Sequence, residues 1–233
     1  MNLPSKINIE TNTYCNRTCS YCPPKGDSLF LDEKYVKKII DELSGQKLRK
    51  LSFHGYNEPL TDLRIRSFIS YARERLPKTI ISLPTNGDFL TVIGTQELIY
   101  LGVDQLKITL HDPSTEEFVG KIYELGEIFQ EITIVDLREE HKRILLSNRG
   151  GSVKLEGPAK RITKCPHTKT MMIRATGNVV SCFQDFYQNE IFGNIKNQKV
   201  LDIWNSKKFK EFRNNAKKGK SPSTLCEMCE MEI

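Results

Sequence analysis

The sequence lacks a long hydrophobic run. Of its 233 residues, 38% are hydrophobic and 27% are charged, and the mean hydropathy is −0.44. No apolar stretch approaches the roughly 20 residues that a transmembrane helix needs. The amino terminus has no basic stretch followed by an apolar one, so a secretory signal peptide is not indicated. We therefore expect a cytoplasmic protein that does not bind membranes.

Internal repeats and low-complexity segments are also absent, and the excess of positive charge is small. The formal net charge of +6 falls to about +3 if the cysteines hold two cluster cores as thiolates. The lysines between residues 207 and 220 are typical of a solvated helix face. We expect no nucleic-acid partner.

Seven cysteines are many for a cytoplasmic chain, where disulfides are rare, and an odd number cannot all pair. Cys15, Cys19 and Cys22 are spaced C-x3-C-x2-C in one loop. A [4Fe–4S] cluster normally takes four thiolates, so three from one loop leave one iron open for a ligand. A zinc or structural site is the plainer alternative for this loop.

The other four cysteines lie towards the carboxyl terminus: Cys165, Cys182, Cys226 and Cys229. Four thiolates suit either tetrahedral zinc or a fully ligated [4Fe–4S] cluster. The spacing alone favours zinc. Beside the amino-terminal triplet, a second iron–sulfur cluster becomes the better interpretation.

Strand-like runs alternate with amphipathic helices up to about residue 135. This pattern predicts an α/β fold with a parallel sheet. Five such units are too few for a closed eight-fold barrel, so we expect a partial (β/α) barrel. The predicted strands are Lys6–Glu10, Lys50–His54, Ile80–Leu83, Gln105–Leu110 and Ile132–Val135.

In β/α barrels, reactive groups follow the carboxyl ends of the strands. The cysteine loop, Glu58, Asn86 and His111 all occupy such positions. Although they are far apart in the sequence, we expect them on one rim of the sheet.

The pattern changes after an irregular double-glycine segment that ends at Gly151. Thr170–Arg174 and Asn178–Phe183 alternate like a β-hairpin, and Leu201–Lys218 is amphipathic. We therefore predict a barrel domain over residues 1–151 and a small hairpin–helix domain, with an auxiliary iron–sulfur cluster, over residues 152–233.

The cysteine spacing, with Tyr21 before the last cysteine, resembles the signature of the radical S-adenosylmethionine (SAM) superfamily. The resemblance implies that SAM chelates the open iron and that one electron releases a 5′-deoxyadenosyl radical. Glu58-Pro59 resembles the end of the family's G-G-E-P motif, which holds the amino group of SAM. Here Gly55 lies one position early, and we expect Asn57 to tolerate the positive φ of the turn.

The tail resembles the SPASM/twitch extension of this superfamily, in its shorter form with one auxiliary cluster. Gly177-Asn178, Gly193-Asn194, Ile203-Trp204 and Cys226-x2-Cys229 carry that resemblance. It implies that the chain uses two [4Fe–4S] clusters and SAM.

Three further segments resemble the superfamily's dehydrogenases, which oxidise a secondary alcohol of an aminocyclitol in aminoglycoside antibiotic biosynthesis. They are residues 85–91, 146–151 and 182–186. The resemblance implies that Arg149 meets the substrate, and it places a substrate-facing carboxylate where this chain has Gln184. No cysteine is left to return a hydrogen atom, which favours net oxidation.

These considerations give two sets of candidate residues. His111 or His54, with a pKa near the working pH, is the expected proton acceptor. The candidates for catalysis are Arg149, His111, His54, Gln184 and Tyr56. The candidates for SAM binding are Tyr21, Asn57, Glu58, Pro59, Thr85, Asn86, Lys107 and Thr109.

The expected function is a radical SAM dehydrogenase for a cyclitol or sugar-like molecule, primed by a one-electron reductant such as flavodoxin or ferredoxin. A peptide-modifying enzyme or a sugar-acid decarboxylase of the same superfamily is an alternative. Peptide modifiers commonly carry a leader-binding domain, for which the early first strand leaves no room. A zinc or iron–sulfur regulator without catalytic activity is the other alternative.

Overall fold

One eight-stranded sheet organises the molecule. The computed structural model describes residues 2–24, 26–138, 146–155, 157–162 and 165–232. The strands are β1 Lys6–Ile9, β2 Lys50–Ser52, β3 Ile80–Thr85, β4 Gln105–Leu110, β5 Ile132–Asp136, β6 Ala159–Arg161, β7 Thr170–Ile173, β8 Asn178–Val180, β9 Ile191–Asn194 and β10 Glu230–Glu232. Their order in the large sheet is β5-β4-β3-β2-β1-β7-β8-β9, and the pairs from β5 to β7 are all parallel.

In the described residues, seven α-helices accompany the strands: α1 Glu33–Leu43, α2 Ile65–Arg75, α3 Val92–Tyr100, α4 Glu116–Ile128, α5 Val200–Asn205, α6 Lys207–Lys217 and α7 Thr224–Glu227. The apolar stripe of α1 is fully buried, and it packs with Ile7 and Ile9 of β1 in one core. Lys6, Asn8 and Glu10 alternate with them, which gives the sheet a polar second face. None of the helices in the described ranges is long and apolar enough to cross a bilayer.

The partial barrel is confirmed, but it has six parallel strands rather than five. β7 pairs with β1, from Lys6 opposite Thr170 to Ile9 opposite Ile173. The predicted hairpin of β7 and β8 is present, and it extends the barrel sheet instead of standing apart. The domain boundary at residue 151 stays a prediction.

The segment before that boundary, at Asn148, is hydrogen-bonded to residues 228–230 near the carboxyl terminus. The backbone N–H of Asn148 donates to Glu230, and its side-chain amide donates to the Met228 carbonyl over 2.6 Å. β6 and β10 continue this contact as a separate antiparallel pair. The double-glycine segment is therefore held in place by the tail.

The expected helix over Leu201–Lys218 is two helices. The backbone of Ser206 is extended, with φ −59° and ψ 148°, which ends α5. The hydroxyl of Ser206 then accepts a hydrogen bond from the N–H of Phe209 over 3.3 Å and caps α6. The sequence pattern did not reveal this break because both helices contribute apolar residues to the same core, Ile203 and Trp204 from α5 and Phe209 from α6.

Phe209 anchors these two helices, and its replacement should destabilise the tail. Its ring is fully buried, 4.2 Å from the ring centroid of Phe192 and 5.3 Å from that of Trp204. We expect Phe209→Ala to lower the free energy of unfolding by about 3–5 kcal/mol, measured by urea denaturation without oxygen. Tyr100→Ala, at a ring that is 89% exposed, should change it by less than about 0.5 kcal/mol. Equal effects of the two variants would contradict the packing described.

Candidate active site

The predicted rim residues do meet, around one cavity of about 230 Å³ at the carboxyl edge of the sheet. We call it the reaction cavity. It brings the cysteine loop to the ends of β2, β3 and β4, as parallel strands require. The predicted residues that line it are Cys15, Cys19, Tyr21, Cys22, His54, Tyr56, Asn57, Glu58, Thr85, Asn86, Thr109, His111 and Arg149.

The cysteine loop is fixed to the rim by Arg17. Its guanidinium forms a bidentate ion pair with Asp88, with distances of 2.7 Å from Nε and 2.6 Å from Nη2, and also donates to the His111 carbonyl. Burial alone would raise the pKa of Asp88, but hydrogen bonds from Arg17 and Asn16 hold it below its usual range. The loop is thereby tied to the segments that follow β3 and β4.

Glu58 ties the end of β2 to the end of β3. It is 2% exposed, and its carboxylate accepts hydrogen bonds from Thr85 Oγ1 (2.7 Å), the Asn86 N–H (2.7 Å) and the Leu60 N–H (3.0 Å). Burial raises the pKa of Glu58 although these three donors oppose the shift. An ionised carboxylate accepts about four hydrogen bonds, so one acceptor site is left for a ligand ammonium.

The turn before Glu58 is built differently from our expectation. Asn57 does not adopt a positive φ. Its side-chain oxygen instead accepts a hydrogen bond from the N–H of Gly55 over 2.9 Å. Gly55 has to be glycine because a Cβ there would collide with the carboxylate of Glu10.

Aromatic rings form one wall of the reaction cavity. His54 stacks on Phe183 with 5.0 Å between ring centroids, and Tyr56 lies 4.7 Å from the same ring. The guanidinium of Arg149 lies 5.6 Å from the Phe183 centroid. Arg149 has a φ of 50°, a left-handed conformation that is costly for arginine. The surrounding packing therefore fixes the backbone at this residue, and the side-chain Nε donates to the Tyr21 carbonyl over 3.4 Å.

The two candidate histidines differ in their surroundings. Burial, followed by the positive charges of Lys6, Arg149 and Lys107, holds the pKa of His54 well below its usual range. His54 is therefore neutral at working pH, and the expectation that its pKa lies near that pH is wrong. His111 Nδ1 forms a hydrogen bond with the Tyr21 hydroxyl at the opposite side of the cavity.

Three predicted residues do not line the reaction cavity. Pro59 is buried and begins a 3-10 turn, and Lys107 is an exposed residue of β4. Gln184 points to the other side of its segment, where its amide donates to Ser147 Oγ over 2.9 Å. Arg17, Phe183 and Leu137, which were not predicted, also line it, with Gly55 and Pro84. Arg17 lies between two of the cysteines and Phe183 follows Cys182, but nothing in the sequence pointed to Leu137.

The four tail cysteines line a second, more apolar cavity, together with Ile162 and Leu225. Burial raises the pKa of each of the four thiols, to about 11 for Cys229. Such thiols lose their protons when a metal binds. A fully ligated [4Fe–4S] cluster takes four thiolates, and the four cysteines that it would need line this one cavity. The donor set therefore fits a [4Fe–4S] cluster.

Both regions match known families. A model of the radical SAM superfamily matches residues 9–145, which is more than half of the chain. The chain belongs to the radical SAM superfamily. A model of the SPASM iron–sulfur cluster-binding domain matches residues 165–230. The radical SAM protein described here is therefore an enzyme that uses SAM and two iron–sulfur clusters.

A curated relative and two solved structures resemble the whole chain. The SAM-dependent 2-deoxy-scyllo-inosamine dehydrogenase of Niallia circulans is 33% identical, with 97% of this chain and 92% of the relative covered. The crystal structure of BtrN in complex with AdoMet and 2-DOIA is 34% identical, with a TM-score of 0.88 and coverage of 98% and 93%. BtrN in an open conformation gives a TM-score of 0.73 at 29% identity, with coverage of 97% and 92%.

The Arg17–Asp88 ion pair predicts a selective loss of iron. We expect Asp88→Asn to loosen the cysteine loop, because Arg17 loses its bidentate partner in a place where both side chains are largely buried. Iron should fall from about eight towards about four atoms per chain, measured with sulfide after anaerobic reconstitution. Glu97→Gln, which breaks the more exposed pair with Arg66, is the matched control and should keep full iron. An Asp88→Asn protein with full iron would refute the assigned role.

Proposed function

We propose that this enzyme oxidises a secondary alcohol of a cyclitol or sugar-like molecule to a ketone. The observation that carries the proposal is the adjacency of the two cavities. Phe183 lines the reaction cavity, and its neighbour Cys182 lines the tail cavity. An electron left on a substrate beside Phe183 therefore has an acceptor close by. The name of the relative, a dehydrogenase of an inosamine, supports the same reaction.

The residues at each site suit the groups that the family uses. Cys15, Cys19 and Cys22 would hold the first cluster, and the tail cysteines the second. Tyr21, Asn57, Glu58, Thr85, Asn86 and Thr109, which all line the reaction cavity, would hold SAM. When bound, these groups supply a hydrogen-abstracting radical and an acceptor for one electron.

Arg149 would stabilise the oxygen of the substrate as negative charge develops on it. A guanidinium stays protonated in proteins, so it cannot take the hydroxyl proton itself. Its place against Phe183 presents the positive charge to the cavity, and a preorganised charge of this kind stabilises a developing alkoxide. His111 remains our candidate proton acceptor, with its ring held by the hydroxyl of Tyr21.

The partner that primes the first cluster would be a one-electron donor such as flavodoxin or ferredoxin. The deciding experiment is anaerobic turnover of the reconstituted enzyme with SAM, a reductant and a panel of cyclitols. We expect 5′-deoxyadenosine and a ketone in equal amounts. Deoxyadenosine without a two-electron-oxidised product would overturn the dehydrogenase proposal and leave the family membership untouched.

Removing one cysteine ligand from each cluster should have different effects on the reaction. Cys15→Ala should abolish both SAM cleavage and ketone formation, since it removes a ligand of the cluster that binds SAM. Cys226→Ala should retain substrate-dependent SAM cleavage but lose the ketone, because the electron acceptor is incomplete. Liquid chromatography of deoxyadenosine and of the product measures both. Wild-type ketone formation by Cys226→Ala would contradict the role given to the tail.

Because the pKa of His54 is lowered, we predict that this residue has no effect on how the rate of ketone formation depends on pH. Its ring is neutral between about pH 5 and 8, because titration occurs below that range. We expect the ketone-forming rates of the wild type and of His54→Gln to follow curves of the same shape over that range. An acidic limb near pH 6.5 that disappears in His54→Gln would show that the histidine titrates normally.

A further inference from the structure

A third cavity, distinct from the one lined by the tail cysteines, adjoins the reaction cavity. It measures about 470 Å³, and we call it the side cavity. Cys22 and Tyr56 line both cavities. Arg174 and Phe186, which both lie against the ring of Tyr56, line the side cavity as well. A molecule in the reaction cavity therefore has a neighbouring space into which its substituents can extend.

Arg174 is the unusual residue of the side cavity. It is only 3% exposed, and its guanidinium lies 5.1 Å from the ring centroid of Tyr56 and 5.7 Å from that of Phe186. Its Nη1 is buried and has no hydrogen-bond partner among the described residues. A buried donor without a partner is unfavourable, and more so when it is charged. A ligand acceptor in the side cavity would remove that cost.

Glu10 pairs with Arg174 and has little capacity for a ligand. Its Oε2 lies 2.9 Å from Arg174 Nε, close enough for an ion pair but without hydrogen-bond alignment. Oε1 accepts the N–H of Tyr56 over 2.9 Å, and Oε2 accepts that of Ala175 over 3.1 Å. The negative charge of Glu10 is thus balanced within the chain.

Most other carboxylates beside the two cavities are engaged. Glu58 accepts three hydrogen bonds, so its one remaining acceptor site is in the reaction cavity, and Asp88 forms the ion pair with Arg17. Asp27 lines the side cavity but is exposed to solvent. The hydroxyl of Tyr56, by contrast, is buried without a partner in the described structure. The buried part of the side-cavity wall, at Arg174 and Tyr56, therefore offers hydrogen-bond donors and positive charge.

We propose that the side cavity is a substrate subsite in which Arg174 Nη1 and the Tyr56 hydroxyl bind hydroxyl or carboxylate oxygens. The substrate is then a polyol that presents oxygen, and not an ammonium group, to this wall. An ammonium there would face the guanidinium of Arg174 and find Glu10 already paired. The inference rests on the proposed function and narrows its substrate class, since the curated relative is named for an inosamine, which carries an amine.

Binding to the holoenzyme tests this directly. The protein, with both clusters and SAM but without reductant, is titrated in a calorimeter with three ligands: 2-deoxy-scyllo-inosamine, the same ring with a hydroxyl in place of the amine, and a sugar acid. We expect the hydroxyl ring, the acid or both to bind at least about tenfold more tightly than the amine, which corresponds to about 1.4 kcal/mol. Tightest binding of the amine would overturn the proposal.

Variants assign the effect to the side cavity. Arg174→Gln should weaken binding of the oxygen ligands by about tenfold or more and strengthen binding of the amine, because Glu10 is released. Tyr56→Phe removes only an unpartnered hydroxyl, so it should fold normally and still weaken oxygen ligands. It keeps the test decisive if Arg174→Gln does not fold. Arg66→Gln, at a distant exposed ion pair, is the control and should bind as the wild type does.

The two proposals fail in distinguishable ways. Arg174-dependent binding of a polyol that never yields a ketone would defeat the proposed reaction and leave the subsite standing. Ketone formation from the amine, with binding unchanged in both Arg174→Gln and Tyr56→Phe, would defeat the subsite and leave the reaction standing. Loss of binding in Arg174→Gln for the acid but not for the neutral ring would identify a carboxylate as the group that the subsite holds.

Discussion

The bidentate ion pair between Arg17 and Asp88 determines where the first cysteine loop lies. That loop has little regular structure: the N–H of Cys22 bonds to Cys19, and few other backbone hydrogen bonds hold it. Thiolates must nevertheless be placed to within fractions of an ångström for a cluster to form. A largely buried, doubly hydrogen-bonded pair supplies the fixed geometry that a helix or strand would otherwise give. The arrangement of the reaction cavity depends on this contact.

Three carboxylates around the reaction cavity and the side cavity form hydrogen bonds or ion pairs that connect neighbouring loops. Glu58 joins β2 to β3, Asp88 holds the cysteine loop, and Glu10 supports both the turn at Gly55 and the start of the β7–β8 hairpin. Because these charges are engaged internally, the groups left facing a ligand are mostly donors, Arg149 and Arg174 among them.

Local patterns predicted much of this molecule. Cysteine spacing and strand–helix alternation depend on neighbours in the sequence, so the three-thiol loop, the parallel sheet and the shared rim could all be anticipated. Contacts between segments that are distant in the sequence could not be predicted. Nothing in the sequence indicates that β7 pairs with β1, or that Glu10 meets Arg174. The resemblance implied that Gln184 faces the substrate, but its amide donates to Ser147, another contact between distant segments that the sequence does not indicate.

Through β7, the tail also stabilises the barrel sheet, apart from any role of its cysteines in binding a cluster. It covers the edge of β1, whose hydrogen-bonding groups would otherwise be open to water or to another chain. A variant truncated before Thr170 would therefore lose more than its second cluster, because it would leave that edge of the sheet open to pairing with another chain.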